Sequence, residues 1–177
     1  MSEHPPRSGQ PRFTGVTTYT DALGRYEFRH PSDWFRADLD DGVDGVMVGP
    51  EPEDEATHFA VAVTDLGVGV VADDLDVLRA GFDDGLAALP DLQVESLRDD
   101  TYNDIVKLER TITFTDGNVT RKRRVWSLYA DHWQFTVVYQ GSSVAEFDYW
   151  LPMANYCFTA FQLPLALWFA TDPVVSR

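Results

Sequence analysis

Asp116-Gly117-Asn118 stands between two long runs, 105–115 and 119–130, that read as β-strands. A connection of that kind supplies the left-handed turn conformations of a tight hairpin, so the two runs fold back on each other antiparallel. The next run, 132–140, places Trp133, Phe135, Val137 and Tyr139 on one face, the two-residue period of a half-buried strand. A chain that carries this meander builds an antiparallel sheet, and something must cover the apolar face.

The remaining runs supply the rest of the sheet and its cover. Stretches 16–20 and 25–30 flank Asp21-Ala22-Leu23-Gly24 and form a first hairpin. In its second strand Tyr26, Phe28 and His30 share one face while Arg25, Glu27 and Arg29 take the other. Pro31 has no N–H to continue the ladder, and Trp34 is the next large anchor. Further strands are expected at 34–39, 43–48, 58–66 and 92–98, with Phe59, Val61 and Val63 on one face of the third of these. Asp73 or Asp74 caps a helix in which Leu75, Leu78, Phe82, Leu86 and Leu89 recur at helical steps, and Pro90 ends it. A second helix starts at Ser142 or Ser143, carries Phe147, Trp150, Met153, Tyr156 and Phe161, and is broken or restarted at Pro152. The order predicts an α+β fold, an antiparallel sheet of about six or seven strands sandwiched by helices. It divides into a disordered lead over 1–15, a single domain over 16–163 and an apolar tail over 164–177.

Tyr26-Glu27-Phe28-Arg29-His30-Pro31-Ser32-Asp33-Trp34 resembles a signature of the PsbP-like family, in which an early strand alternates aromatic and polar residues before a proline and a nearby tryptophan. That family is shared by the PsbP protein of photosystem II and a yeast Ran-binding import factor. Its last helix tends to end in a Ser-Phe pair, and Asn155-Tyr156-Cys157-Phe158-Thr159-Ala160-Phe161 is similar without the serine. The resemblance implies an α/β/α sandwich that binds or organises partners, with no shared catalytic site. The photosynthetic and Ran-related roles are not carried over, because no residues here match those partner surfaces.

Charge narrows the partners. Between residues 38 and 104 there are 19 acidic side chains against two basic ones, a balance of −17, which leaves +2 for the rest of a chain at −15. Asp outnumbers Glu 21 to 8, and only Lys107 and Lys122 of the 14 basic residues are lysines. A salt-loving host and a GC-rich genome account for that bias equally well. Either way the surface repels phosphate backbones, so nucleic acid is not an expected partner. The lone Cys157 excludes an internal disulfide, and no run approaches the roughly 18 apolar residues of a membrane span. The first 12 residues are polar and proline-rich with no apolar core, unlike a secretion signal, so a cytoplasmic location is expected.

Motifs for catalysis are missing. His4, His30, His58 and His132 have no partner at a chemically useful spacing, and the chain has no nucleophile elbow, Cys-x-x-Cys, metal-binding His pair or phosphate loop. Cys157 sits in an apolar helical context that suits an inert thiol. Asp40, Asp44, Gly45 and Glu51 fall at the first, fifth, sixth and twelfth positions of a calcium loop, but Gly42 replaces an acid, Pro50 intrudes and the flanks read as strands. A solvated acidic turn is the simpler reading, and no cofactor is expected.

Arg121-Lys122-Arg123-Arg124 lies inside a strand, where alternation sends its charges to opposite faces and pairing with Glu109 or the acids at 99–100 explains it. Arg121 and Arg123 remain candidates for contact with an acidic or phosphorylated partner. The tail residues Leu165, Leu167, Trp168 and Phe169 either fold back over the sheet or form a docking segment. The function expected is a non-catalytic protein-binding or scaffold domain with a protein partner or a second copy of itself. The alternative is a small-ligand-binding protein or minor hydrolase with a pocket between sheet and helices, lined by some of Trp34, Trp126, Trp133 and Tyr139.

Overall fold

The structure is a computed structural model that describes residues 6–170. Nine strands run in chain order as β1 (Val16–Thr20), β2 (Glu27–Pro31), β3 (Phe35–Asp38), β4 (Gly45–Gly49), β5 (His58–Asp65), β6 (Gln93–Tyr102), β7 (Ile105–Asp116), β8 (Val119–Ala130) and β9 (Trp133–Gly141). Helix α1 (Leu75–Ala87) follows β5, while α2 (Val144–Thr159) and α3 (Leu165–Trp168) follow β9. Strands β3 to β9 form one antiparallel sheet in the order β3-β4-β5-β9-β8-β7-β6. The meander expected from Asp116-Gly117-Asn118 is its centre, with Asp116 opposite Val119 and Gly117 at φ 62° in the turn.

The first hairpin is not part of that sheet. Strands β1 and β2 pair only with each other, and backbone bonds between Glu27 and Gln162 join them to the chain after α2. The reason is the aromatic face read from sequence. Phe28 packs on Phe59 at 5.0 Å and Tyr26 on Phe135 at 5.8 Å, so the hairpin lies over the sheet instead of extending its edge. Together with α2 it buries the main core, which includes Phe59, Val61, Phe135, Val137, Tyr139, Phe147 and Phe158. On the opposite face Leu75, Leu78 and Phe82 of α1 pack against Val106, Leu108 and Tyr129, a smaller cluster.

Two elements run differently from expectation. Pro152 sits inside an unbroken α2, because Phe147 before it and Met153, Ala154, Cys157 and Phe158 after it all bury in the same core and hold the two halves in line. The start of α2 is as expected: the Ser143 hydroxyl accepts the Glu146 N–H. Strand β6 runs on to Tyr102 through Asp99 and Asp100, which are poor strand formers, because Asp99 accepts hydrogen bonds from Arg79 and Arg110. In the lead, Arg7 pairs with Glu146 and Glu51 at 2.8 and 2.6 Å, so the chain is fastened at that point. No helix among the described residues is long and apolar enough to cross a membrane.

Candidate functional site

Two clefts meet at the C-terminal end of the described chain. After α2 the backbone turns through Gln162, buries Leu163 and enters α3 at Pro164, whose fixed φ suits a helix start. A cleft of about 550 Å³ opens between α3 and the first hairpin, with Gly24, Tyr26, Phe161, Leu165 and Trp168 in its wall. A second, of about 280 Å³, lies between the sheet and the end of α2, where Tyr102, Lys107, Trp126, Phe158 and Trp168 enclose it. Trp168 is a wall of both and touches Tyr102 edge to face at 6.4 Å.

Each cleft contains an unused polar group. The Tyr26 hydroxyl, its pKa raised by burial and by Tyr19 beside it, makes no well-formed hydrogen bond among the described residues. The Trp126 indole N–H is likewise buried without an acceptor. Lys107 Nζ lies 3.7 Å from the centre of the same indole ring. It is also 3.7 Å from Glu109, whose carboxylate is held more closely by Arg124 at 3.2 Å. Burial pulls the Lys107 pKa down, against the pull of Glu109 and Asp100. Lys107 and the indole N–H thus present donors to an aromatic space with few acceptors.

The residues singled out from sequence are scattered. Leu165, Trp168 and Phe169 are 74%, 39% and 39% exposed, while Leu167 packs against the main core. Arg121 and Arg123 lie on the other side of the sheet, where Arg121 pairs with Asp116 at 2.7 Å and Arg123 grips the Gln140 amide oxygen and stacks over Phe114. Glu109 takes Arg124, as alternation implied, but the acid Asp99 goes to Arg79 and Arg110 instead of the basic run.

The calcium loop does not assemble. Both Asp44 oxygens accept from Arg25, Glu51 is held by Arg7, and Asp40 points out to solvent, so the arginines occupy the donors a cation would need. No cluster of three metal-ligating side chains occurs among the described residues.

His4 lies outside the described residues, and the other three histidines stand apart from both clefts. His30 Nδ1 meets the Pro31 carbonyl and His58 Nδ1 that of Glu55, and burial lowers both pKa values. His132 Nδ1 lies 2.8 Å from Asp65, but the pair is on the open surface. Burial pushes the Cys157 thiol up to about 12, which keeps it protonated and unreactive. Of the four aromatics considered for a pocket, Trp126 lines the smaller of these two clefts and the other three line neither. Trp34 packs on Trp150, Trp133 stacks under Arg25, and the Tyr139 hydroxyl donates to the Phe147 carbonyl inside the core. Lys107 escaped sequence reasoning; the one available signal was that a lysine is rare in this chain.

No family model matches the chain, and no curated protein matches it in sequence. Solved structures do match in fold. The solution structure of cyanobacterial PsbP (CyanoP) from Synechocystis sp. PCC 6803 aligns over 89% of this chain and 98% of that one, at 14% identity and a TM-score of 0.59. LpqN of Mycobacterium tuberculosis, described as involved in cell envelope biogenesis, aligns over 85% and 91%, at 13% identity and a TM-score of 0.56. A Bacteroides thetaiotaomicron protein aligns over 83% of this chain and 48% of its own, at 10% identity and a TM-score of 0.55. At these identities the likeness is one of fold, and the α+β sandwich is the PsbP-like one.

Proposed function

We propose that the domain is a non-catalytic binding module that docks a protein partner, or a second copy of itself, through the turn formed by Leu165, Trp168 and Phe169. The observation that carries this reading is the contrast within one short turn. Leu167 anchors it to the core, while Leu165, at 74% exposure, stands in water beside an apolar cleft. An apolar side chain held rigidly in water costs free energy that docking recovers, at about 25 cal/mol per Å² removed from water. Neither cleft has a histidine or cysteine in its wall. The fold is shared with CyanoP and with LpqN, described as involved in cell envelope biogenesis, and one fold with different surfaces fits a scaffold whose surfaces carry the function.

The test is the double variant Leu165→Gln/Phe169→Gln, which leaves Leu167 and the core intact. Thermal unfolding is expected to stay within about 0.5 kcal/mol of the parent, since both side chains are at the surface. Self-association in sedimentation, or recovery of a partner by tagged protein in the native host, is expected to be lost. Unchanged sedimentation together with an unchanged set of recovered partners would remove this turn as the docking surface.

A further inference from the structure

The smaller cleft has an unusual inventory. Its wall is aromatic and aliphatic, from Tyr102, Trp126, Phe158 and Trp168 among others, yet it also includes Lys107, the one charged side chain there. The Trp126 indole N–H is buried with no acceptor among the described residues, and leaving such a group unpaired costs on the order of 1–3 kcal/mol, so folded proteins leave few of them. The Lys107 ammonium takes part in no hydrogen bond among the described residues; its contacts are the indole face at 3.7 Å and a loose approach to Glu109 at 3.7 Å. Glu109 is committed to Arg124, and Asp100 to Arg98 at 2.8 Å. Nζ sits over the face of the ring that carries the indole N–H.

We propose that this cleft is a binding site for a small carboxylate with an apolar body, whose carboxylate accepts hydrogen bonds from Lys107 Nζ and Trp126 Nε1 while the body fills the aromatic slot. A single negative charge fits better than a phosphate, because two donors with Glu109 and Asp100 close behind them compensate one charge and repel a second. The size follows from the volume. A space of about 280 Å³ equals the liquid volume of about nine waters at ~30 Å³ each, room for a body the size of phenylacetate or octanoate. Trp168 of α3 forms one side, edge to face with Tyr102. The proposed docking turn shares Trp168 with this wall, while Leu165 and Phe169 are absent from it.

Calorimetric titration of the full chain with phenylacetate and octanoate, and with phenylacetamide as the neutral isostere, tests the assignment. One-site binding of an acid is expected, roughly tenfold tighter than the amide, as for a charge-assisted hydrogen bond. Lys107→Met keeps the apolar stem and is expected to lower acid affinity roughly tenfold while leaving the amide unaffected, and Trp126→Phe keeps a ring and is expected to weaken the acid severalfold. The acid-to-amide ratio on the unaltered chain keeps the test decisive even if a variant folds poorly. Absence of acid binding at about 10 mM overturns the proposal, and so does equal affinity for acid and amide or a Lys107→Met protein that binds the acid unchanged. Leu165→Gln/Phe169→Gln is expected to bind the acid normally, so the cleft and the docking turn can fail independently.

Discussion

Arg110 has no exposed surface and is the largest fully buried side chain. Its guanidinium bridges Asp83 of α1 and Asp99 of β6, at 2.9 Å to the former, and Phe82 lies 5.4 Å beneath it. Burial works against the charge, but the bonds from Arg110 and Arg79 outweigh it and hold Asp99 below its ordinary 3.8. A buried pair is weak evidence for net stability, yet breaking one from a single side leaves an uncompensated charge. Arg110→Ala is therefore expected to lower the free energy of unfolding by about 3–5 kcal/mol, read by urea titration, whereas a loss below about 1 kcal/mol would mean Asp99 is satisfied by Arg79 alone. This position was partly legible. Arg110 falls in step with Val106, Leu108, Ile112 and Phe114 on the inward face of β7, where a charge demands a partner. Its acids lie 27 and 11 residues away along the chain, and no local spacing announces them.

Among the elements, several turns and ends were readable because their chemistry is local: Gly117 for the hairpin, Ser143 for the start of α2, Pro90 after α1, whereas the Asp74 side chain expected to cap α1 makes no such bond. What each element packs against was not. The first hairpin has the same signals as the meander but lies over the sheet, since ring packing by Tyr26 and Phe28 decides its place. Pro152 shows the same contest. Its ring removes one backbone bond from α2 and crowds the preceding turn, a cost of about 3 kcal/mol in an isolated helix, yet burial on both sides prevails. Because Pro152 itself is exposed, Pro152→Ala restores the backbone bond without disturbing the core. The variant is expected to be more stable by about 1–3 kcal/mol, less the entropy gained by the unfolded chain, in a thermal melt. A destabilised variant would show that α2 is built around the bend.

The fold of the whole molecule was largely legible and the candidate site was not, for one physical reason. Sheet and helices follow from periods of two and 3.6 residues that any window of the chain displays. The smaller cleft draws Tyr102 and Lys107 from neighbouring strands, Trp126 from the next, Phe158 from α2 and Trp168 from α3, so it exists only after these have packed. The same assembly arranges the charge. Strands β7 and β8 bring Arg110 against Asp83 and Asp99, and Lys122 against Glu95, which neutralises part of the acidic segment from within.

Much of the remaining negative charge faces water, as at Asp84 on α1 and in the acidic loop at 50–56. Repulsion among exposed carboxylates opposes the folded state at a net charge of −15. Salt removes it selectively, since the screening length falls from about 30 Å at 0.01 M to about 3 Å at 1 M while buried pairs are screened much less. The melting temperature is therefore expected to rise by about 3–6 °C over that range of potassium chloride, the equivalent of roughly 1–2 kcal/mol for a chain of this size. Asp84→Lys is expected to raise the melting temperature at low salt and to reduce the gain from added salt. A melting temperature that falls with salt would mean that exposed ion pairs outweigh the repulsion, and the acidic surface would then have to be explained by solubility or partner choice.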